Sequence, residues 1–372
     1  MAYNRKQRLN DNIKAIETAF ILDREQRTPT ARERLLLERY CGFGGLKCIL
    51  NPARELADAV HWAKSDLELF APTVELHRLI RENSKNESEY KQLMDSLKQS
   101  VLTAFYTPSA VTEALTDVLK EHQIVPEKVL EPSAGIGAFV DSVLDNNPKA
   151  DIMAFEKDLL TGKILHHLHP EQKVRIEGFE KIEKPFNDYF DLAISNIPFG
   201  DVAVFDPSYT AMKGMRALVT RRIHNYFFVK ALDTVRDGGL VAFITSQGVL
   251  NAKNNSAARF MMLYHADLVS AIRLPNNLFT ENANTEVGSD LIILQKNTQK
   301  ESLRGDDNLL DTVYNDENRI PTNNYFLEHP ERIIHTTAKL DTDPFGKPAM
   351  IYTHEDGVEG IAEDLRKMLH ED

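Results

Sequence analysis

The sequence predicts an α/β protein with a doubly wound, Rossmann-like sheet of seven mainly parallel strands, preceded by a helical region. Short apolar segments alternate with helical ones between about residues 128 and 296, which is typical of a parallel sheet covered by helices on both faces. The first strand runs into a Gly-rich loop, defined as residues 131–137 (Glu-Pro-Ser-Ala-Gly-Ile-Gly). Such a loop is the first turn between strand and helix in folds of this class.

The composition favours a large water-soluble protein. The 372 residues suffice for one large α/β domain and a smaller region. The net charge of −12 does not favour DNA binding by the chain as a whole. Its two cysteines, Cys41 and Cys48, form neither a metal-binding pattern nor a disulfide framework, so we expect no metal. Because no signal peptide or long apolar run is present, we expect a cytoplasmic protein with no membrane partner.

Residues 1–100 are predicted to form a helical N-terminal region. Apolar residues such as Ile13, Ile16 and Phe20 recur at helical spacing, and Thr30 followed by Glu33 indicates a helix start. A Gly-rich break follows at residues 42–46 (Gly-Phe-Gly-Gly-Leu). This break is either a functional loop or a tight turn between helices.

Residues 101–300 are predicted to hold the sheet, and residues 301–372 a polar C-terminal extension that ends in an amphipathic helix near 357–370. A long polar loop precedes the last predicted strand. We predict strands near 128–133, 151–157, 173–178, 190–196, 239–246, 267–274 and 289–296.

Glu156 follows the second predicted strand. An acidic group at this position is placed to accept hydrogen bonds from ribose hydroxyls, whereas the alternative is a solvated charge at a strand end. The Gly-rich loop contains Gly135 and Gly137 but lacks the third glycine of the dinucleotide fingerprint. The loop alone is therefore weak evidence for a nucleotide ligand.

A second motif follows the fourth strand: Asn196, Ile197, Pro198 and Phe199, called the Asn-Ile-Pro-Phe motif below. Its amide oxygen, its turn and its aromatic ring are the groups needed to hold a planar amine. The alternative is an ordinary turn at a strand end, where Asn and Pro are common.

The charge balance reverses after this motif. Between residues 202 and 230, Asp206 is the only acidic residue. The stretch is predicted to bind DNA beside the motif, and the alternative is a solvated basic helix. Its cations are Lys213, Arg216, Arg221, Arg222 and Lys230.

Three histidines, His166, His167 and His169, lie close together in the sequence, but no further metal ligands accompany them. We therefore expect a helix end with exposed histidines rather than a metal site.

In this order, the motifs resemble those of the S-adenosylmethionine-dependent N6-adenine DNA methyltransferases in their gamma arrangement. The resemblance runs from Phe105 to about Lys296, and begins with a Phe-Tyr-Thr-Pro segment at 105–108. It implies a class I methyltransferase sheet whose last strand is antiparallel, and catalytic roles for the Asn-Ile-Pro-Phe motif. It also implies that the cofactor is bound by Tyr106, Thr107, Pro108, Glu131, Ser133, Gly135, Gly137, Glu156, Phe179, Glu180 and Asn196.

The resemblance implies site-specific methylation of DNA, as in restriction–modification, at the N6 amine of a flipped-out adenine. Ile197 stands where the family usually has Pro; it keeps the main-chain carbonyl that accepts from the amine but adds an N–H. The alternatives are a protein glutamine N5-methyltransferase and a non-catalytic DNA-binding member from a mobile element.

Expected partners are DNA and a helicase or specificity module in the same or a longer chain. The break at 42–46 is similar to a Gly-Trp-Gly-Gly segment of methylase–helicase proteins of phages and conjugative elements, with Phe43 in place of Trp. Only about 75 residues follow the last strand. We therefore expect sequence selectivity to be weak or to come from a partner.

Overall fold

A seven-stranded sheet forms the centre of the molecule. The computed structural model describes residues 4–103, 106–280, 286–303, 305–314, 319–343 and 346–372. The strands are β1 (Lys128–Glu131), β2 (Asp151–Phe155), β3 (Lys173–Arg175), β4 (Phe190–Asn196), β5 (Val235–Ser246), β6 (Ala266–Leu274) and β7 (Ser289–Lys296).

The strand order is β3-β2-β1-β4-β5-β7-β6, and β7 runs antiparallel to both of its neighbours. The pairings among β1 to β5 are parallel. This topology confirms the predicted doubly wound α/β class and the antiparallel insertion of the last strand. The strands lie where the apolar segments of the sequence predicted them.

Helices cover both faces of the sheet, because the side chains of each strand alternate between two apolar layers. In β4, Ala193 packs into one layer, whereas Leu192 and Ile194 pack into the other. The α-helices include α1 (Arg5–Glu25), α2 (Ala31–Leu37), α3 (Phe70–Glu82), α4 (Glu87–Thr103), α5 (Ser109–Glu121), α6 (Ala138–Asn146), α7 (Leu159–Leu168), α8 (Pro207–Ala211), α9 (Gly214–Val219), α10 (Ile223–Thr234), α11 (Gly248–Asn251), α12 (Ser256–His265), α13 (Asn324–Glu328) and α14 (Gly357–His370).

The N-terminal region is helical, as predicted, and packs against α7. Leu160 and Ile164 of α7 belong to the same apolar cluster as Leu9 and Ile16 of α1. Helix α2 begins with a capping box in which Thr30 and Glu33 bond each other's backbone N–H groups. The N-terminal region therefore shares a hydrophobic core with the sheet domain.

The C-terminal segment also contributes to the core. Two small antiparallel ribbons, β8 (Thr312–Tyr314) with β9 (Pro321–Asn323) and β10 (Thr337–Thr342) with β11 (Pro348–Thr353), precede α14. The predicted amphipathic helix is present as α14, which packs against α5. Its Ile361 and Leu365 are fully buried in one apolar layer of the sheet.

Among the described residues, none of the helices combines the length and the apolar character that crossing a bilayer requires.

Replacing Leu365 with Ala is expected to lower the free energy of unfolding by about 2–5 kcal/mol, because the side chain is completely buried between α14 and the sheet. Urea denaturation measures this loss. As a control on the same helix, Lys367→Ala removes a mostly exposed side chain and should change stability by less than about 0.5 kcal/mol. Equal effects of the two substitutions would mean that α14 does not complete the core.

Candidate functional site

The carboxyl ends of β1, β2, β4 and β5 meet at one edge of the sheet, because these strands are parallel. The Gly-rich loop follows β1, Glu156 follows β2, and Asn196 ends β4. Asn196 lies beside Ile244 of β5 in the strand register. The two motifs singled out in the sequence are thus brought to the same edge, where open α/β sheets bind their ligands.

Glu156 ties the Gly-rich loop to the end of β2. Its carboxylate accepts hydrogen bonds from the backbone N–H of Gly135 at 2.8 Å and of Asp158 at 2.6 Å. Burial, reinforced by the charge of Asp158, raises the pKa of Glu156 to about 8, although these backbone bonds oppose the rise. One side chain therefore fixes the loop that precedes α6.

Both glycines of the loop are required by contacts within the protein. Gly135 has φ +57°, and a Cβ there would lie 2.9 Å from the ring of Tyr106. Gly137 has φ +92°, and a Cβ there would lie 2.7 Å from Nε2 of His169. Glycines in such a loop also let the backbone approach a ligand closely. The structure adds another reason, which is packing against an aromatic ring and a buried imidazole.

The segment Tyr106-Thr107-Pro108 lies against this loop; Phe105, the first residue of the motif, lies outside the described residues. The Tyr106 hydroxyl is 3.3 Å from Oγ1 of Thr161, and Thr107 is buried. The carbonyl of Pro108 accepts a hydrogen bond from Val111 in the first turn of α5.

A cavity of about 330 Å³ opens beside this segment. Cys41 of the N-terminal region lines this cavity, because that region folds over it. Other residues lining the cavity are Arg39, Tyr40, Tyr106, Thr107, Pro108 and Ile136.

Glu131 at the end of β1 is buried, and one of its carboxylate oxygens has no hydrogen-bond partner among the described residues. Burial, with the nearby charges of Asp141 and Glu156, raises its pKa well above the usual range. A buried carboxyl group without a partner is costly unless a ligand completes it. An ammonium group has the charge and the donors to do so, so this position fits the amino-acid end of S-adenosylmethionine. Two residues after Glu131, the carbonyl of Ser133 accepts a hydrogen bond from the hydroxyl of Ser195 in the neighbouring strand β4.

The Asn-Ile-Pro-Phe motif is held by β5. Asn196 and Phe199 are half-buried, and Ile197 is buried. The N–H of Ile197 donates to the carbonyl of Ile244 at 3.0 Å. The N–H that Ile adds relative to Pro is therefore satisfied, and the turn is fixed by a hydrogen bond instead of by a ring.

Phe199 packs edge-on against Phe279, with ring centroids 6.2 Å apart. A role for Phe279 was not predicted from the sequence, because the stretch that contains it was predicted to be a polar loop. An apolar Leu-Phe pair within that loop was the available signal.

A model of the N-6 DNA methylase family matches residues 88–351, which is most of the chain and includes both motifs. The chain belongs to the N-6 DNA methylase family. Over 201 residues it is 29% identical to the Defense against restriction protein B of Escherichia phage P1, which covers 52% of this chain. Over 173 residues it is 24% identical to the Type II methyltransferase M.XamI of Xanthomonas campestris pv. amaranthicola, which covers 43% of this chain.

The matches span 8% of the length of the phage protein and 33% of that of M.XamI. Among solved structures, the chain is similar to the ATP-dependent Type ISP restriction-modification enzyme LlaBIII bound to DNA. That similarity has a TM-score of 0.44 and 12% identity, and covers 97% of this chain and 27% of the other.

In this member of the N-6 DNA methylase family, Phe179 and Glu180 occupy different environments. Phe179 is buried in an aromatic cluster, with its ring centroid 5.8 Å from that of Phe155 and 5.3 Å from that of Phe227. Glu180 is half-buried, and its carboxylate lies 3.8 Å from Nζ of Lys157. Glu180 is therefore closer to solvent than its aromatic neighbour.

Three of the five cations of the basic stretch form ion pairs, two of them with acidic residues outside the stretch. Arg216 forms an ion pair with Asp233 at 2.6 Å. Arg222 pairs with Asp201 at 3.0 Å and bonds the side chains of Asn254 and Asn255. The count of acidic residues between 202 and 230 did not include these partners, because one lies just before the stretch and the others after it.

Lys230 is buried with Asp206, its ion-pair partner at 3.3 Å. Burial raises the pKa of Asp206, but hydrogen bonds from Ser208 and Tyr226 and the charge of Lys230 together lower it to about 2. This network anchors the stretch to α10. Lys213 and Arg221 are exposed and have no ion-pair partner among the described residues.

Residues 201–222, called segment 201–222 below, carry Lys213 and Arg221 and also expose several large apolar side chains. Phe205 is 81% exposed. Exposed aromatic rings and exposed cations in one segment are a combination found in nucleic-acid-binding surfaces. The exposed apolar residues are Val202, Phe205, Met212, Met215 and Leu218.

The three histidines near the end of α7 were expected to be exposed, but only one of them is. His166 is exposed, but His167 and His169 are buried. His167 bonds the carboxylate of Asp23 in α1 at 2.8 Å, and His169 packs behind Gly137. They are buried because the N-terminal region covers this helix. No cluster of potential metal ligands occurs in the part of the chain that the structure describes.

His224, in the first turn of α10, is buried, and both of its ring nitrogens lack hydrogen-bond partners among the described residues. Burial, together with the nearby charge of Arg222, lowers its pKa to about 4. His224 is therefore neutral at physiological pH.

His224 is expected to make the protein less stable in mild acid. The unfolded chain takes up the proton near its ordinary pKa of 6.5, whereas the folded chain resists until about pH 4. Stability contributed by the neutral ring is thus complete above 6.5 and is lost as the pH falls from 6.5 towards 4. Between pH 7 and pH 5, this group should cost about 1–2 kcal/mol of unfolding free energy.

Urea denaturation at both pH values tests this expectation on His224→Leu. The variant should lose less stability on acidification than the parent by that amount, while exposed His335→Leu should behave like the parent. Identical pH dependence in parent and His224→Leu would contradict the expectation.

Proposed function

We propose that this chain transfers a methyl group from S-adenosylmethionine to the N6 amine of adenine in DNA. The observation that carries the proposal is the position of the Asn-Ile-Pro-Phe motif. It ends β4, next to the strand that bears the Gly-rich loop, and its turn is bonded to β5. Membership in the N-6 DNA methylase family supports the same chemistry.

Three acidic residues are proposed to hold the cofactor. Glu131 would accept from the ammonium group of the cofactor, since it has an unpartnered buried oxygen. Glu156 would accept from the ribose hydroxyls at the end of β2. Glu180, which lies in a short helix after β3, would flank the adenine. When bound, S-adenosylmethionine supplies a methyl group on a sulfonium, so the protein contributes position more than acid or base.

The amine would be held by two oxygens. The side-chain oxygen of Asn196 and the main-chain oxygen of Ile197 accept its two hydrogens, which leaves the nitrogen lone pair free to attack the methyl group. Phe199, supported at its edge by Phe279, offers a face for the flipped-out base. Because Ile197 is buried and bonded to Ile244, the main-chain acceptor keeps a fixed direction.

Segment 201–222 would contact the DNA. Lys213 and Arg221 supply exposed positive charge, and Phe205 an exposed ring, directly after the motif. The name of M.XamI, a type II methyltransferase, agrees with a place in restriction–modification. Since the chain matches only part of its relatives, we assign sequence selectivity to a specificity module or helicase that acts with it.

A protein glutamine N5-methyltransferase would use a similar motif for a planar amide. The exposed cations and ring of segment 201–222 favour DNA instead. A non-catalytic member would be favoured if Ile197 left the turn loose, but its N–H is bonded to the carbonyl of Ile244. Transfer of labelled methyl groups to DNA with and without adenine, and to protein, separates the three. Labelling of protein alone, or of nothing, would overturn the proposal.

Asn196→Ala is expected to lower methyl transfer to DNA by at least about 100-fold, because one of two amine acceptors is lost. S-adenosylhomocysteine should still bind, as Glu131, Glu156 and the Gly-rich loop are unchanged. Activity is measured with labelled cofactor, and binding by calorimetry. The matched control is Asn187→Ala, which removes an exposed amide outside the site. Retained activity in Asn196→Ala would exclude the proposed amine clamp.

Changing Lys213 and Arg221 together to Ala is expected to weaken DNA binding and to reduce the slope of log affinity against log salt by about 1 per lost phosphate contact. Fluorescence anisotropy with a short duplex at several salt concentrations measures both quantities. Lys149→Ala, at the opposite edge of the sheet ahead of β2, is the control. An unchanged salt slope in the double variant would place the DNA elsewhere.

A further inference from the structure

The Gly-rich break at residues 42–46 lies outside the residues assigned to the cofactor and the amine. It is a tight turn held from two sides. Asn12, fully buried in α1, accepts from the N–H of Cys41 at 2.9 Å and donates to the carbonyl of Gly42 at 2.6 Å. The N–H of Phe43 donates to the Ser100 hydroxyl of α4 at 3.1 Å. With Gly42 at φ +67°, this turn fixes the residues just before it.

Tyr40 lies just before this turn, which fixes its position. Its ring is 1% exposed, and its hydroxyl lies 3.2 Å from Oγ1 of Thr161 in the first turn of α7. The same Thr161 oxygen lies 3.3 Å from the hydroxyl of Tyr106. One threonine hydroxyl therefore joins a tyrosine of the N-terminal region to a tyrosine of the Tyr106-Thr107-Pro108 segment.

Tyr106, the last residue of this hydrogen-bonded series, contacts the Gly-rich loop. The ring of Tyr106 lies where a Cβ on Gly135 would approach to 2.9 Å, so the position of the ring and the path of the loop are linked. Gly135 also donates to Glu156. Tyr40 and Tyr106 both line the cavity of about 330 Å³ beside the loop. Moving either phenol would change the shape of that cavity.

We propose that Tyr40 is a positioning residue for the cofactor site, acting through Thr161 and Tyr106 on the Gly-rich loop. The inference rests on the proposed function, in that the Gly-rich loop binds S-adenosylmethionine. It makes the N-terminal helical region a part of the cofactor site. Burial raises the pKa of both phenols well above the usual range, so both remain protonated at physiological pH.

Replacing Tyr40 with Phe tests the proposal, because it removes one hydroxyl and keeps the buried ring. S-adenosylhomocysteine affinity is expected to fall about three- to tenfold, the usual effect of losing one hydrogen bond. The KM for S-adenosylmethionine should rise by a similar factor, with little change in kcat, since the amine clamp is untouched. Tyr90→Phe, in α4 of the same region and outside the cavity lining, should match the parent.

A double-mutant cycle with Thr161→Val identifies the route. If Tyr40 acts through Thr161, Tyr40→Phe should have little further effect on affinity once Thr161 is Val. Thermal unfolding of all variants reports whether any loss is merely structural.

Two outcomes would overturn the proposal. One is a folded Tyr40→Phe variant that binds S-adenosylhomocysteine as the parent does. The other is a Tyr40→Phe loss that persists in full in the Thr161→Val background. A parent that binds S-adenosylhomocysteine with the expected variant pattern but methylates no substrate would overturn the proposed function alone and support the role of Tyr40.

Discussion

The parallel register of β1, β2, β4 and β5 is the constraint on which the rest of the site depends. It places the Gly-rich loop, Glu156 and Asn196 at one edge, although they are far apart in the sequence. Hydrogen bonds across that edge then lock each piece: Glu156 holds the loop, and Ile244 holds Ile197. A shift of one strand would separate the proposed methyl donor site from the amine clamp.

Some polar and packing groups of the site have partners within the protein, whereas one buried carboxylate oxygen does not. The glycines of the loop are explained by Tyr106 and His169, which pack directly on them. Glu131, in contrast, keeps a buried oxygen without a partner among the described residues. Since buried polar groups are rarely left unpaired, that oxygen points to a ligand more strongly than the glycines do.

The N-terminal region and the segment after the motif show how distant residues change the meaning of a local pattern. The region at 1–100 was predicted only to be helical. In the structure it also covers α7, buries His167 and His169, and brings Tyr40 and Cys41 to the cavity. The basic stretch was counted as nearly free of acids, yet Asp201 and Asp233 neutralise two of its arginines. Lys213 and Arg221 carry the remaining exposed charge.

The strand positions and the two motifs were predicted from the sequence, because alternation of apolar segments and turn chemistry are local signals. The helix start at Thr30 was predicted in the same way. The antiparallel direction of the last strand was implied by the family resemblance and not by a local signal. The pairing of charges, the burial of the histidines and the support of Phe199 by Phe279 became visible only in the folded chain. Those outcomes depend on contacts between residues distant in the chain, which no spacing rule encodes. The role we assign to Tyr40 belongs to this second kind, since one threonine oxygen contributed by another helix connects it to the site.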